Sequence, residues 1–322
     1  MFSEPIALLT YKRPELTKNI INIILPLKPR KFYIIQDGPK RDFSKNDKIL
    51  FNKNKKIILS LNNRKNVSFI LFKKNLGLRT VAVEALKEIF LNEEKIIFLE
   101  DDTMPDKSFF YFCKLMLKKY NKNKKIFHIS GTNQYLGSKD DLKIKSSYFF
   151  SKYPQFHGWA TWKDRWERYY DVNIRLWPKL KNKFLNHILK DKQESRFFKY
   201  YLDKIYKNKF STWDFQWSFA LILNNFKTIV PNENLIKNLG YLYDPTGIGA
   251  KKFRKLEIKK LKFPLKHPQS IKFNESYDAW CRKNFYCREI FIIRFYKKFK
   301  EYNYNIPYFF YYCIKRLLKD KI

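Results

Sequence analysis

The chain has 322 residues, is 45% hydrophobic and 19% aromatic, and sets 67 Lys and Arg against 30 Asp and Glu, a net charge of +37. That length and apolar content exclude wholesale disorder, and no stretch reaches the roughly 20 apolar residues of a membrane span. The charge attracts polyanions, yet no RNA-binding motif, zinc-finger spacing or helix-turn-helix pattern accompanies it, so nucleic acid is not an expected partner. Part of the excess belongs to solvated faces of a Lys-, Asn- and Ile-rich composition.

The opening residues, "MFSEPIALLTYKRPE", lack a basic leader and a long apolar region, so no secretory signal is expected. Cys113, Cys281, Cys287 and Cys313 form no CxxC pair and are expected to be reduced thiols of a cytosolic protein.

"PIALLTY" (5–11) predicts a buried strand, and Arg13-Pro14-Glu15 opens a helix to about Leu25. "KFYIIQDG" (31–38) is a second strand, followed by a Lys-rich helix over roughly 45–60. "VSFILFKK" (67–74) is a third strand and "RTVAVEALKEIFLN" (79–92) a helix with apolar residues at helical spacing. "KIIFLED" (95–101) is the fourth strand, 107–120 another helix, and "IFHISGT" (126–132) a fifth strand. Strands alternating with helices predict βαβ units, hence an α/β fold with a mainly parallel sheet. In such sheets the ligand site lies beyond the carboxyl ends of the strands. That rim carries Thr10 to Arg13, Gln36-Asp37-Gly38, Lys74-Asn75 and Glu100-Asp101-Asp102.

The pattern changes after about residue 135. Residues 147–170 are dense in aromatics, 180–208 read as Lys-rich helix, 213–225 as an amphipathic helix, and 226–240 as a strand and turn. The expected organisation is a first part (1–135), a second part (136–255) and a basic aromatic helical extension (256–322); the resemblance described below makes the first the nucleotide-sugar-binding half and the second the acceptor-binding half. Residues 283–322 carry ten Lys and Arg, three acids and thirteen Phe and Tyr. The tail suits an amphipathic helix on an anionic membrane surface, or equally a helix packed on the domain with its basic face solvated.

The densest acidic cluster, Glu100-Asp101-Asp102, ends the most strand-like run. Adjacent acids repel, and a positive group must offset that cost. Mg²⁺ or Mn²⁺ would do so, since both take oxygen ligands, often one or two carboxylates plus substrate phosphates. A solvated turn capping the next helix is the structural alternative. Asp214, in "WDFQW", is a candidate general base: Trp213 and Trp217 share a helix face and would shield it, raising its pKa. It would otherwise serve as a helix cap. His157, Gly158 and Trp159, in "HGWATWKDRW", offer an aromatic surface on which a ligand could stack or simply a packed aromatic core. P-loop, GxGxxG and HExxH motifs are missing.

"FLEDDTMPDKSFFYF" resembles the acidic motif of GT-A-fold, nucleotide-sugar-dependent glycosyltransferases, in particular the N-acetylglucosaminyltransferase-I-like group and bacterial family-2-like sugar transferases. "LLTYKRPE", "IIQDGP", "HGWATWKDRW" and "WDFQWSFAL" resemble the family's other segments in order, over roughly residues 5–245. The resemblance implies a GT-A fold and an inverting, Mn²⁺- or Mg²⁺-dependent transfer of a hexosyl or N-acetylhexosaminyl group. The donor would be a nucleotide-sugar, UDP-linked, and the acceptor a glycan or lipid-linked glycan of surface polysaccharide.

The resemblance also implies residue roles. Asp102 would bind the metal, with Glu100 and Asp101 at the ribose and donor sugar or orienting the groups around the metal. Thr10, Arg13, Asp37, Asn75 and Arg79 would lie at the nucleoside or phosphates. Asp214 would be the base, and His157, Gly158, Trp159 and Trp213 would receive the acceptor. "WDFQW" departs from the family's "WDDW", and no late His stands in 238–252, where Asp244 would substitute as a metal ligand or water would fill the position. Gly247 and Gly249 suggest a loop that orders over the donor, with Lys251, Lys252 and Arg254 reaching its phosphates. The protein would act in the cytoplasm, peripherally at the inner membrane face. The rivals are a sugar-nucleotide nucleotidyltransferase, against which the Gly-free "TYKRPELT" speaks, and a non-catalytic basic adaptor.

Overall fold

The computed structural model describes residues 2–189, 191–240, 253 and 256–286. Its first part follows the sequence pattern, β1 (Ile6–Thr10), α1 (Pro14–Ile24), β2 (Phe32–Gln36), α2 (Lys45–Leu59), β3 (Val67–Leu71), α3 (Leu78–Phe90), β4 (Lys95–Glu100), α4 (Lys107–Lys119) and β6 (Ile126–Ser130), and adds one strand the sequence did not predict, the short β5 (Thr103–Pro105). Local chemistry sets the helix starts. Pro14 occupies the first turn of α1, where a missing N–H costs nothing. The Ser44 hydroxyl accepts from Asp47 N (3.0 Å) at α2, and Asp106 accepts from Ser108 N (2.8 Å) at α4.

Beyond residue 135 come β7 (Tyr148–Ser151), β8 (Trp159–Trp162), α5 (Lys163–Tyr169), α6 (Trp177–Lys183), α7 (Lys192–Tyr206), α8 (Asp214–Leu223), β9 (Lys227–Pro231) and β10 (Ile236–Asn238). One eight-stranded sheet has the order β3-β2-β1-β4-β8-β6-β9-β7. β3, β2, β1 and β4 are parallel. β8 runs antiparallel between β4 and β6, β9 is parallel to β6, and β7 closes the edge antiparallel to β9. The aromatic stretch 147–170 therefore supplies two strands to the same sheet, which continues across residue 135.

Strand residues alternate between two apolar layers. Ile6, Leu8, Ile97 and Leu99 face α1 and α4, with Ile20, Ile24, Phe109 and Met116. Ala7, Leu9, Ile96 and Phe98 face α3 and α8, with Val81, Leu86, Trp213 and Trp217. A third cluster gathers α6, α7 and the short helix Glu275–Cys281. Cys113 and Cys281 are buried free thiols, as expected; Cys287, Cys313 and the rest of the tail lie outside the described residues.

Candidate active site

The carboxyl ends of β1, β2 and β4 and the start of α3 open into a cleft of about 440 Å³. Its lining includes Thr10, Arg13, Asp37, Asn75, Glu100, Asp101 and Asp102, the rim expected from strand order. Backbone bonds fix the acidic turn. Asp101 N donates to Leu9 O (3.0 Å), and Leu239 N donates to Asp102 O (2.7 Å). The Thr103 hydroxyl donates to Glu100 O (2.7 Å) and accepts from Glu100 N (3.1 Å).

Arg13, just before α1, faces this turn. Its Nη1 lies 2.9 Å from Asp101 Oδ1 and 2.9 Å from Asp102 Oδ2. Tyr11 N donates to Asp101 Oδ2 (3.1 Å). Asp102 Oδ1 is buried and has no hydrogen-bond partner. One guanidinium does not balance the acids. Burial pushes the Glu100 carboxyl up to about 8, with the charges of Asp102, Asp101 and Asp214 adding to it and Arg13 opposing. Burial also lifts Asp101 to about 6 against the pull of Arg13. This is the electrostatic signature of a site short of positive charge.

The fit of a divalent cation can be judged from these atoms. Asp102 Oδ1 is a buried oxygen awaiting a partner, and a hard cation with one carboxylate ligand would draw its other positions from phosphates and water. Among the described residues no three His, Cys, Asp or Glu side chains form a complete ligand set. Asp244, Gly247, Gly249, Lys251, Lys252 and Arg254 lie outside the described residues.

Asp214 is the first residue of α8, after Trp213 at the cap position. Its Oδ1 accepts from Phe215 N (2.9 Å) and from the Thr212 hydroxyl. Burial pushes its pKa up, with those two bonds opposing, and its charge is felt at Glu100. His157 is drawn down by burial, with the charge of Asp102 opposing, and its Nδ1 lies 3.4 Å from Gln134 Nε2. The structure thus gathers His157, Asp102, Glu100 and Asp214 around one region. A second cleft of about 550 Å³ begins next to Gln134, lined by Asn133, Tyr135, Asn234 and Glu257 among others.

Several expected contacts fall elsewhere. Trp159 is fully buried and Trp213 nearly so, 5.2 Å apart in a stack within the core, so neither presents a face to a sugar. Gly158 has φ +65°, and a Cβ there would stand 2.6 Å from Ile236 Cδ1. It admits close packing of β10, not a ligand. Asp37 accepts from Gly38 N (2.7 Å), Leu76 N (2.9 Å), Gly77 N (2.9 Å) and Asn75 Nδ2 (2.8 Å). Those four bonds occupy its lone-pair sites, so it fixes the 75–77 loop beside the cleft. The Thr10 hydroxyl likewise donates to Ile35 O (3.1 Å) and accepts from Asn54 Nδ2 (3.2 Å). Arg79 turns from the cleft to Val172 O (2.7 Å) and Asn173 Oδ1 (2.9 Å).

Sequence reasoning set Tyr11 on the rim without giving it a role and passed over Lys40; both line the cleft. The Tyr11 hydroxyl accepts from Asn75 Nδ2 (3.1 Å), and burial and the Asp37 charge push it up to about 12. Its place between two recognised rim residues was the available signal.

No family model and no curated protein matches the chain. Similar solved structures include S. aureus TarS 1–349, with TM-score 0.41 and 11% identity over 73% of this chain. This chain covers 59% of that one, less than two thirds of its length. A UDP-glucose pyrophosphorylase complexed with UDP-glucose gives TM-score 0.38 and 9% identity, covering 87% of this chain and 99% of that one. The 4-diphosphocytidyl-2C-methyl-D-erythritol synthase from Anaerococcus prevotii gives 0.34 and 11%, covering 70% and 86%. Likeness this distant assigns no function. What the coordinates establish is a mixed α/β protein with a mostly parallel central sheet and an acid-lined cleft at its carboxyl edge.

Proposed function

We propose that this protein is an inverting glycosyltransferase that moves a sugar from a nucleotide-diphosphate donor, UDP-linked, to a glycan or lipid-linked glycan. The observation that carries the reading is the unpartnered, buried Oδ1 of Asp102 in a carboxylate cluster at the floor of the cleft. The nucleotide occupies that cleft, between Tyr11 and Asn75 on one side and the acidic turn on the other. Asp102 holds a Mn²⁺ or Mg²⁺ ion, which when bound neutralises charge on the leaving diphosphate. Arg13 adds a second positive group and keeps Asp101 and Asp102 oriented. Asp214, with its raised pKa, takes the proton of the acceptor hydroxyl, and the acceptor approaches past His157 from the cleft beside Gln134.

A nucleotidyltransferase would bind similar donors but release pyrophosphate, and the loop after β1 lacks the glycines such enzymes place against phosphates. The test is calorimetry of UDP and UDP-sugars, with and without Mn²⁺, on wild type and Asp102→Asn. Metal-dependent binding that disappears in the variant supports the reading. Binding that ignores both metal and substitution removes Asp102 from the mechanism. Assay of the released product, UDP or pyrophosphate, separates the two enzyme classes.

A further inference from the structure

Helix α4 and the segment 258–274 share an unusual composition. Residues 107–139 contain eight lysines and no acid, and residues 258–274 contain five lysines and no acid. The fold lays these two runs side by side. Leu261 N donates to Ser108 Oγ (3.1 Å), the Tyr148 hydroxyl meets His267 Nδ1 (2.8 Å), and the Tyr111 and Phe263 rings meet edge to face at 6.5 Å.

The inner face of α4 is buried, with Phe109, Phe112, Cys113 and Met116 in the core. Tyr111, Lys114, Leu115 and Lys118 fall together on the outer face at helical spacing. Tyr111 is 48% exposed, Leu115 41% and Phe263 42%. Large apolar tips thus project from two runs whose charged residues are all lysine. Within these runs Lys124 is paired with Asp164, whereas Lys114, Lys118 and Lys262 form no ion pair among the described residues.

We propose that this face of α4, with Phe263, docks on an anionic lipid surface, its apolar tips entering the headgroup region and its lysines meeting lipid phosphates. Charge selects the occupant. A second copy would oppose lysine with lysine. The chain's own tail, with ten Lys and Arg against three acids in 283–322, carries the same sign. A soluble polyanion would satisfy the lysines but leave Leu115 and Phe263 unused. Lysine stems lying along apolar surface with their ammonium groups at the phosphates are the usual geometry of an interfacial face. The proposal does not depend on which reaction the cleft performs.

The test is flotation of the full chain with vesicles of phosphatidylcholine alone and of phosphatidylcholine with phosphatidylglycerol. Two triple variants are compared: Lys114→Gln, Lys118→Gln, Lys262→Gln, and Tyr111→Ser, Leu115→Ser, Phe263→Ser. Wild type should float only with the anionic vesicles. The lysine variant should lose roughly a hundredfold in partitioning, about fivefold for each charge, and the apolar variant about tenfold. Lys114 lies over the ring of the buried Phe2 (5.7 Å), so circular dichroism first checks that the lysine variant is folded, and that arm then remains readable if the apolar variant unfolds. Failure of wild type to float overturns the proposal. So does wild-type flotation of the lysine variant, which would move the contact to another surface. A folded apolar variant that floats unchanged would reduce the patch to a site for soluble polyanions and overturn the lipid assignment.

Discussion

Replacing Glu100 by Gln should flatten the pH dependence of stability. In the folded chain the Glu100 carboxyl holds its proton up to about pH 8 instead of the ordinary 4.5. A folded pKa raised in this way contributes stability that is complete below pH 4.5 and is lost as pH rises through 8. With about 1.4 kcal/mol for each tenfold change in proton affinity, the step from pH 6 to pH 9 costs wild type about 3 kcal/mol. Unfolding entropy of about 2.1 cal/mol/K per residue makes that about 4 °C in melting temperature for a chain of this length. Asp101 acts in the same direction, but its pKa of about 6 places most of its effect below this window. The assay is thermal unfolding by circular dichroism in chelator at pH 6 and pH 9. The melting temperature of Glu100→Gln should fall about 4 °C less than that of wild type across the interval. Parallel curves would refute the account of the cluster as starved of positive charge.

Gly158→Ala forces a Cβ against Ile236 at φ +65°, and should cost about 3 kcal/mol in denaturant unfolding. Arg165 is fully buried and donates to the carbonyls of Ile126 (2.9 Å), Tyr120 (3.0 Å) and Asn121 (2.8 Å). Arg165→Met strands those oxygens and should cost about 4 kcal/mol, again read by unfolding. Arg79→Ala should leave UDP affinity unchanged within about threefold in calorimetry, at a cost of about 1 kcal/mol in stability, because its guanidinium serves the 172–173 backbone. A larger loss of affinity would return Arg79 to the nucleotide.

The strands and helices to residue 132 were legible because burial on both sheet faces leaves an unbroken apolar run, as in Ile96 to Leu99. β7 and β8 were not, since four-residue strands inside an aromatic stretch carry no period long enough to read, and strand direction leaves no trace in a short run. The rim of the cleft was legible because it follows from topology: Arg13 and Asp101, far apart in sequence, meet wherever parallel strands end together. Side-chain direction was not. Trp159 and Trp213 have the same composition whether they stack on a sugar or on each other, and only the packing decides. Asp37 was placed correctly on the rim, but its four internal bonds come from a loop whose path the sequence does not reveal.

The position of β8 orders events in time. β6 pairs with β8 and β9 and with no earlier strand, and β4 has β8 as its outer neighbour. A nascent chain that has just emerged to residue 135 therefore holds β6 with no partner on either side and β4 with one edge open. At synthesis rates of about 5–20 residues per second, some 5 to 20 seconds pass before β9 arrives. β8 follows residue 135 within about 1 to 5 seconds and covers the edge of β4 and one side of β6; until β9 arrives the other side of β6 is a template for mispairing. A chain cut after residue 135 would keep β6 without either neighbour and should aggregate rather than fold by itself.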